Sequence, residues 1–298
     1  RCEKDGPLKF NYSRDNLRFG QDQGEKYYNT LVGKQRKVAF AIDVSGSMSD
    51  ALGVIQTTLC AWVADQDEAP RLSLVTFTDT TVDVVGTTCD PAEFAGWVKN
   101  LTTVPGEVIS TTVLDATLEA ADLAGSGGNV ILVSACKEAA DVLERAVATE
   151  AADASDALRR KRVKVCTIFK YPGKTGSAQM ATATGGISFP SFANLELALN
   201  EVLEISTPGL RDFAHIVGTV TTMIGPIPVP VDGSGQRLDL IVTSPDSSTT
   251  HTLVLKRPDN STVAPSDPGV AFVSTPTFSS VRVTTPPKCC VIEGLLNS

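Results

Sequence analysis

The chain has 298 residues, of which 42% are hydrophobic, and its formal net charge is −8. This length and apolar content suffice for one large or two ordinary domains. The negative charge argues against nucleic acid or an anionic membrane surface as the main partner, and no apolar run approaches the roughly 20 residues that a membrane-spanning helix needs.

Residues 1–33 are polar and irregular, and we expect them to pack along a domain edge. The first clear element is the apolar run over residues 38–42, which ends in Asp43. Because this run is short, continuous and without a polar face, it predicts a fully buried strand of a parallel sheet. A sharp turn should follow, and then a helix capped by Ser49 or Asp50.

Strands and helices alternate from there to about residue 206. The predicted strands span residues 71–77, 129–134, 163–169 and 186–189, and residues 81–85 form an antiparallel hairpin partner at the edge. The predicted helices span residues 49–68, 111–124, 137–160, 175–182 and 194–205, with another that starts at Pro91 behind an Asp90 cap. This alternation predicts a doubly wound, mostly parallel α/β sheet over residues 34–207.

The composition changes at Pro208, after which Thr, Ser, Val and Pro dominate and no helical period is found. Candidate strands span residues 216–223, 237–243, 252–256, 270–274 and 279–284, with Gly, Pro, Asn and Asp between them. Short strands at this spacing predict a smaller all-β sandwich domain over residues 208–298.

Polar side chains follow the first buried strand at alternate positions: Asp43, Ser45 and Ser47. Ligands of open α/β sheets sit at the carboxyl ends of the strands, so one carboxylate and two hydroxyls should converge there. Such hard oxygen donors suit Mg²⁺, Ca²⁺ or Mn²⁺ rather than zinc. The alternative is a serine-rich turn that caps a helix and binds nothing.

The segment Asp43-Val44-Ser45-Gly46-Ser47 resembles the Asp-x-Ser-x-Ser motif of the von Willebrand factor A (vWA) domain family. The resemblance implies a metal-ion-dependent adhesion site, in which the carboxylate of a partner protein completes the coordination of the metal. The family's Thr-x-x-x-x-Ala pattern matches Thr111 and Ala116, with Thr112 as the neighbouring candidate. The implied ligands of Mg²⁺ or Ca²⁺ are Asp43, Ser45, Ser47 and Thr111.

The chain departs from the family where the motif Thr-Asp-Gly is usual, because it reads Ser134-Ala135-Cys136. Alanine can neither ligate a metal nor hold a water beside it, so one negative charge is lost and the metal affinity should fall. Glu107 and Asp115 are near Thr111 in sequence. They either compensate for the missing negative charge or are solvated surface acids. Two interpretations stay open: a working metal site and a retired one.

The order of the two domains, and the segment Phe189-Pro190-Ser191-Phe192, are similar to the N-terminal region of hemicentin-type extracellular matrix proteins. The resemblance implies an extracellular vWA domain followed by a β-sandwich.

Cysteines and glycosylation sequons also favour a secreted protein. The chain starts at Arg1, as a processed mature chain does, and has sequons at Asn11, Asn100 and Asn260. Seven cysteines are disulfide candidates: Cys2, Cys60, Cys89, Cys136, Cys166, Cys289 and Cys290. A bond from Cys289 or Cys290 to Cys2 is the first guess, whereas Cys60 and Cys166 sit inside predicted elements and are alternatively buried free thiols.

An enzymatic function is not predicted. Aspartyl-phosphate phosphotransferases have the pattern Asp-x-Asp-x-Thr, but this chain has Ser45 at the position of the second Asp. The Gly-x-Ser-x-Gly elbow of serine hydrolases is also missing. The two histidines, His215 and His251, both lie in the β-rich part. We therefore expect an extracellular protein-binding or adhesion module, or alternatively a building block of a matrix or filament that self-associates.

Overall fold

The first part of the computed structural model is a six-stranded sheet in the order β3-β2-β1-β4-β5-β6. The structure describes residues 37–66, 70–106, 110–136, 152–171, 176–206, 227–230, 237–243, 251–257, 259–284 and 289–297. The strands are β1 (Lys37–Asp43), β2 (Arg71–Phe77), β3 (Val82–Thr88), β4 (Asn129–Ser134), β5 (Lys164–Phe169) and β6 (Ser188–Phe189). The helices are α1 (Leu52–Ala64), α2 (Pro91–Lys99), α3 (Ser110–Ala124), α4 (152–160), α5 (Gly176–Ala183) and α6 (Leu195–Ile205).

The sheet is mostly parallel, as predicted. β1 lies at its centre and pairs in parallel with β2 on one side and β4 on the other. β5 and β6 continue the parallel order, and only β3 runs antiparallel, as the edge partner of β2. The predicted doubly wound α/β fold is therefore confirmed.

The side chains of β1 explain why helices cover both faces of the sheet. Val38, Phe40 and Ile42 belong to one buried cluster, whereas Ala39 and Ala41 belong to the other. The first cluster is completed by α1, α2 and α6, and the second by α3, α4 and α5. The alanine face of β1 meets the buried alanines of α3, which are Ala116, Ala120, Ala121 and Ala124. Small residues on both sides allow the helix to approach the strand closely.

The predicted caps of two helices had different outcomes. Asp90 caps α2 as expected, because its carboxylate accepts hydrogen bonds from the backbone N–H groups of Ala92 and Glu93. The predicted cap of α1 by Ser49 or Asp50 is wrong. A 3₁₀ turn over Gly46–Met48 delays the helix, so Ala51 precedes its first residue and makes no side-chain cap.

The second part consists of two three-stranded antiparallel sheets, β10-β11-β8 and β7-β12-β9. Their strands are β7 (Ile227–Pro230), β8 (Arg237–Thr243), β9 (His251–Lys256), β10 (Val270–Ser274), β11 (Phe278–Thr284) and β12 (Cys289–Asn297). Both sheets contribute to one buried apolar cluster: Leu238, Leu253, Leu255, Val263, Val281 and Val283. Two sheets that share a core match the predicted β-sandwich.

Two strands of this part were not predicted. β7 contains Pro228 and Pro230, and proline is depleted in strands except at sheet edges, which is where β7 lies. The sequence predicted a disulfide near the residues of β12 but no strand there. The predicted strand over residues 216–223 and the domain boundary near residue 208 lie outside the described residues.

The two parts contact each other through an apolar centre with a polar margin. Phe278 of β11 is 1% exposed and packs edge-on against Phe189 of β6, with 5.0 Å between the ring centroids. Beside it, the Ser280 hydroxyl donates to Glu201 Oε1 of α6 at 2.9 Å. Arg282 lies between two acids, 3.4 Å from Glu201 Oε2 and 2.7 Å from Asp239 Oδ1.

Three of the seven disulfide candidates are reduced cysteines in the structure: Cys60, Cys136 and Cys166. Cys166 belongs to the buried cluster on one face of the sheet and Cys136 to the cluster on the other, so the sheet itself separates them. Cys166 is buried and Cys60 is half-buried, which is compatible with the alternative interpretation of these two residues. Burial raises the pKa of the Cys60 thiol. Cys89 is not one of these reduced cysteines. The side chains of the remaining candidates lie outside the described residues: Cys2, Cys289 and Cys290.

Two of the predicted glycosylation sites lie on the surface. Asn100 follows α2 and Asn260 lies in a turn with a φ of 65°, and both are exposed. Asn11 lies outside the described residues. None of the helices within the described ranges is long and apolar enough to cross a membrane.

Replacing Phe278 with alanine should reduce the free energy of unfolding by about 3–5 kcal/mol, because the substitution empties a fully buried site between the two parts. Urea denaturation of wild type and variant measures this loss. Phe272→Ala is the matched control, since Phe272 is only partly buried and should cost less. Equal losses in the two variants would contradict the central role of Phe278.

The stability of the contact between the two parts should depend on Glu201. Burial raises the pKa of its carboxyl above the ordinary 4.5, against the lowering effects of the Ser280 hydrogen bond and of Arg282. A raised pKa in the folded state means that the folded protein binds this proton more tightly. Its contribution to stability is therefore present at low pH and is lost as the pH rises through the folded pKa.

We expect Glu201→Gln to flatten the decline of the unfolding free energy as the pH rises above the ordinary carboxyl pKa of 4.5, because glutamine keeps an acceptor for Ser280 but does not titrate. Denaturation midpoints across this range provide the measurement. Glu196→Gln, at an exposed position of α6, should leave the slope as in wild type. An unchanged slope in Glu201→Gln would refute the assignment.

Candidate functional site

The candidate site lies where the chain changes direction across the sheet. From β1 the chain first continues to β2 on one side, and only later returns to place β4 on the other side. In open α/β sheets such a switch point leaves a crevice at the carboxyl ends of the strands. Asp43 ends β1 and Ser134 ends β4, so both lie at this crevice.

The carboxylate of Asp43 is fully buried and accepts three hydrogen bonds from the protein. Oδ1 accepts from the backbone N–H of Ser45 at 2.8 Å. Oδ2 accepts from the Ser134 hydroxyl at 3.0 Å and from the backbone N–H of Ala135 at 2.9 Å. Although Asp43 ends its strand at the edge of the crevice, its exposed fraction is 0%. The negative charge is thus held by three donors of the chain itself, in charge-assisted hydrogen bonds.

The two serines of the motif lie side by side. The hydroxyl oxygens of Ser45 and Ser47 are 2.7 Å apart and share a hydrogen bond. Ser45 is buried, whereas Ser47 is partly exposed, so the site opens towards solvent on the Ser47 side. The structure therefore brings Asp43, Ser45 and Ser47 together, as the alternation along the chain predicted.

A neighbouring loop supports this turn from the other side. The backbone N–H of Val104 donates to Val44 O at 2.7 Å, and that of Gly46 donates to Gly106 O at 3.1 Å. Gly106 has a φ of +138°, and a Cβ there would lie 3.4 Å from the carboxylate of Asp79. Only glycine adopts this backbone conformation without strain, so the close approach of the loop to the site depends on it.

The remaining predicted ligands are less well placed. Thr111 is the second residue of α3, and its side chain lies outside the described residues. Thr112 is buried and donates its hydroxyl to the backbone oxygen of Asp79 at 3.0 Å. Asp115 is exposed, in agreement with a solvated surface acid, and Glu107 lies outside the described residues.

Lys170 is a site residue that the sequence interpretation missed. It directly follows β5, and its ammonium donates to Ser47 O at 2.8 Å and to both carboxylate oxygens of Asp50 at 2.7 and 2.8 Å. The hydrogen bond from Lys170 holds the pKa of the Asp50 carboxyl below its ordinary value. This contact explains why Asp50 does not cap α1. A charged residue immediately after a buried parallel strand was the available signal.

These contacts form a closed ring around the site. The backbone N–H of Lys170 donates to Ser134 O at 2.9 Å, and the Ser134 hydroxyl donates to Asp43. From Asp43 the ring continues through the backbone of Ser45 and the hydroxyl pair to Ser47, whose carbonyl returns to the Lys170 ammonium. The ends of β1, β4 and β5 are therefore tied into one arrangement.

The residues present match a divalent cation in kind and spacing but not in charge. Adjacent ligands of an octahedral Mg²⁺ lie about 3 Å apart, given Mg–O distances of about 2.1 Å, which is close to the spacing of the two hydroxyls. Of the predicted ligands, however, only Asp43 is charged, and both of its oxygens are already engaged. Within the described ranges, no cluster of three or more His, Cys, Asp or Glu side chains could hold a metal.

With Asp43 as the one charged ligand among those predicted, this donor set is too weak in charge to hold a divalent cation tightly without a further acid. The predicted Mg²⁺ or Ca²⁺ at Asp43, Ser45, Ser47 and Thr111 stays a prediction.

No protein-family model and no curated protein sequence matches this chain. Solved structures do. A von Willebrand factor type A protein from Catenulispora acidiphila is 14% identical, with 88% of this chain and 59% of that chain covered and a TM-score of 0.44. The pilus adhesin SpaC from Lactobacillus rhamnosus GG, in its open conformation, is 11% identical, with 89% and 39% covered and a TM-score of 0.45.

BatB from Bacteroides thetaiotaomicron is 14% identical, with 57% of this chain and 98% of that chain covered and a TM-score of 0.43. The similarity to hemicentin-type proteins stays a prediction. What identifies the first part of the chain is its own structure: the strand order β3-β2-β1-β4-β5-β6, with Asp43-Val44-Ser45-Gly46-Ser47 at the end of β1, is that of a vWA-like fold.

Proposed function

We propose that this chain is a non-enzymatic, extracellular protein-binding module. Its contact surface is the rim formed by Ser47, Lys170, Val104 and Tyr171 at the carboxyl ends of the sheet. The observation that carries this proposal is the composition of the rim: a hydroxyl and a fixed ammonium lie beside two exposed apolar side chains, with Val104 46% and Tyr171 37% exposed. Aromatic and apolar groups with polar neighbours are typical of protein contact surfaces.

The hydroxyls of the site argue for binding rather than catalysis. Each of the two, on Ser45 and Ser47, has the other as its hydrogen-bond partner, and no described histidine or carboxylate accepts a proton from either. A nucleophilic serine needs such a base. His251 belongs to β9 in the second part of the chain, and His215 lies outside the described residues.

The partner is another protein chain, and copies of this chain are included. Ala135 stands where the family's motif carries an acid, so the first candidate is assembly into a matrix or filament that needs no metal. The second candidate is metal-dependent adhesion, in which the acidic side chain of a partner completes a site for Mg²⁺ or Ca²⁺. The 2.7 Å spacing of the two hydroxyls favours this candidate. The exposed positions of Asn100 and Asn260 are compatible with a glycosylated, secreted protein.

Light scattering of the full chain in calcium, before and after addition of a chelator, separates the two candidates. We expect assemblies larger than a monomer that survive chelation, because the charge of the site is balanced within the chain. Dissociation on chelation would instead support metal-bridged contacts. A strictly monomeric protein with hydrolase or phosphatase turnover would contradict both.

Tyr171→Ser and Val104→Ser should each weaken this association at least about fivefold, because they remove apolar area from the proposed surface. Sedimentation or scattering over a concentration series measures the change. Leu197→Ser is the matched control, since Leu197 is similarly exposed at 40% but belongs to α6. Weakening by the control alone would place the contact surface elsewhere.

A further inference from the structure

We propose that the ammonium of Lys170, rather than a divalent ion, fixes the turn that carries Ser45 and Ser47, and that it opposes the binding of a divalent ion there. The inference deepens the proposed function, because it says how the same surface is kept in shape without a metal. It concerns ion binding by the chain alone, so it is testable without any partner protein.

The first step is the charge of the site. An ion held by oxygen ligands needs negative charge around it, and cation affinity follows the number of charged ligands. Here Ala135 occupies the position of the acid, and its contribution is a backbone N–H that donates to Asp43 Oδ2 at 2.9 Å. The methyl side chain of Ala135 adds no negative charge to the site, and the only contribution of this residue is a backbone donor to the carboxylate of Asp43.

The second step is the state of that carboxylate. Asp43 is fully buried, and its two oxygens accept from Ser45 N–H, the Ser134 hydroxyl and Ala135 N–H. A buried carboxylate is costly unless it is paired and hydrogen-bonded. The three donors meet this requirement inside the chain, so the fold does not depend on an external ion at Asp43.

The third step is the position of Lys170. Its side chain is 20% exposed, and its ammonium contacts Ser47 O and both oxygens of Asp50. The carbonyl and hydroxyl oxygens of one serine lie about 3–4 Å apart by bond geometry, so the ammonium is within about 7 Å of the Ser47 hydroxyl. This is less than the screening length of about 8 Å at physiological salt, and partly buried charges are screened less.

The ammonium therefore has two effects on the site. It holds the carbonyl of Ser47 and so orients the turn that carries the hydroxyls. It also neutralises Asp50, so this acid does not attract a divalent ion towards the hydroxyls, and the ammonium itself repels such an ion. Lys170 is thus a positioning residue that sets the cation preference of the site.

Isothermal titration calorimetry with MgCl₂ and with CaCl₂ tests this on the full chain. Wild type should bind neither ion more tightly than about 10⁻³ M, the weak limit for extracellular calcium modules. On an Ala135→Asp background, which restores the acid, Lys170→Gln and Lys170→Met should each bind Ca²⁺ about tenfold more tightly than the background alone, because the repelling charge is gone. The amide of glutamine can still donate to Ser47 O. Lys170→Gln therefore preserves the turn even where Lys170→Met disturbs it.

Two matched variants on the same background separate charge from contact. Lys170→Arg keeps the charge and should bind no more tightly than the background. Asp50→Asn breaks the ion pair but keeps the ammonium, and should also show no gain. Ligand-induced shifts of the thermal midpoint supply a second readout.

A wild-type dissociation constant for either ion below about 10⁻³ M would overturn the proposal, as would equal affinities of the Gln and Arg variants. Neither result depends on self-association, so a strictly monomeric protein with hydrolase or phosphatase turnover would refute the proposed function and leave this inference intact.

Discussion

A buried carboxylate is the constraint on which the candidate site depends. Asp43 ends the central strand at a position without solvent, and a charge there requires several aligned donors. The donors come from two places: the turn after β1 provides the N–H of Ser45, and the end of β4 provides the Ser134 hydroxyl and the N–H of Ala135. The carboxylate thus holds the ends of two neighbouring strands in one geometry.

The other contacts of the site follow from this geometry. Once the turn is held at Ser45, its hydroxyl meets that of Ser47, and the carbonyl of Ser47 points to Lys170 at the end of β5. The ammonium does not require water as a hydrogen-bond acceptor, because Asp50 supplies two further acceptors. The charge of Asp43 is therefore stabilised within the chain by backbone and hydroxyl donors, and it does not require an ion.

The second part of the chain is attached at a different place. Phe278 inserts into the cluster that also contains α1, α2 and α6, so the apolar core of the first part extends into β11. Around it, Glu201, Asp239 and Arg282 form a partly buried group with two acids and one base. This polar margin restricts how the sheet β10-β11-β8 sits on α6, because buried charges tolerate few alternative pairings. The rim around Ser47 involves the ends of β1, β4 and β5 and is built without these residues.

Sequence patterns determined the elements of this protein and the location of its site. The apolar run before Asp43, the alternation of strands and helices, and the turn residues between the later strands are local signals, and they led to the doubly wound sheet, its antiparallel edge and the paired β-sheets. The position of Asp43, Ser45 and Ser47 followed from one rule about strand ends.

Only the tertiary structure decided the partners of these side chains. Lys170 is 123 residues from Ser47 and Ser134 is 91 residues from Asp43, so no local pattern relates them. No local pattern relates Phe278 to Phe189 either, nor Asp50 to Lys170, with which Asp50 pairs instead of capping α1. Backbone periodicity is a property of neighbouring residues, whereas the pairing of buried charges depends on which distant strands the fold places side by side.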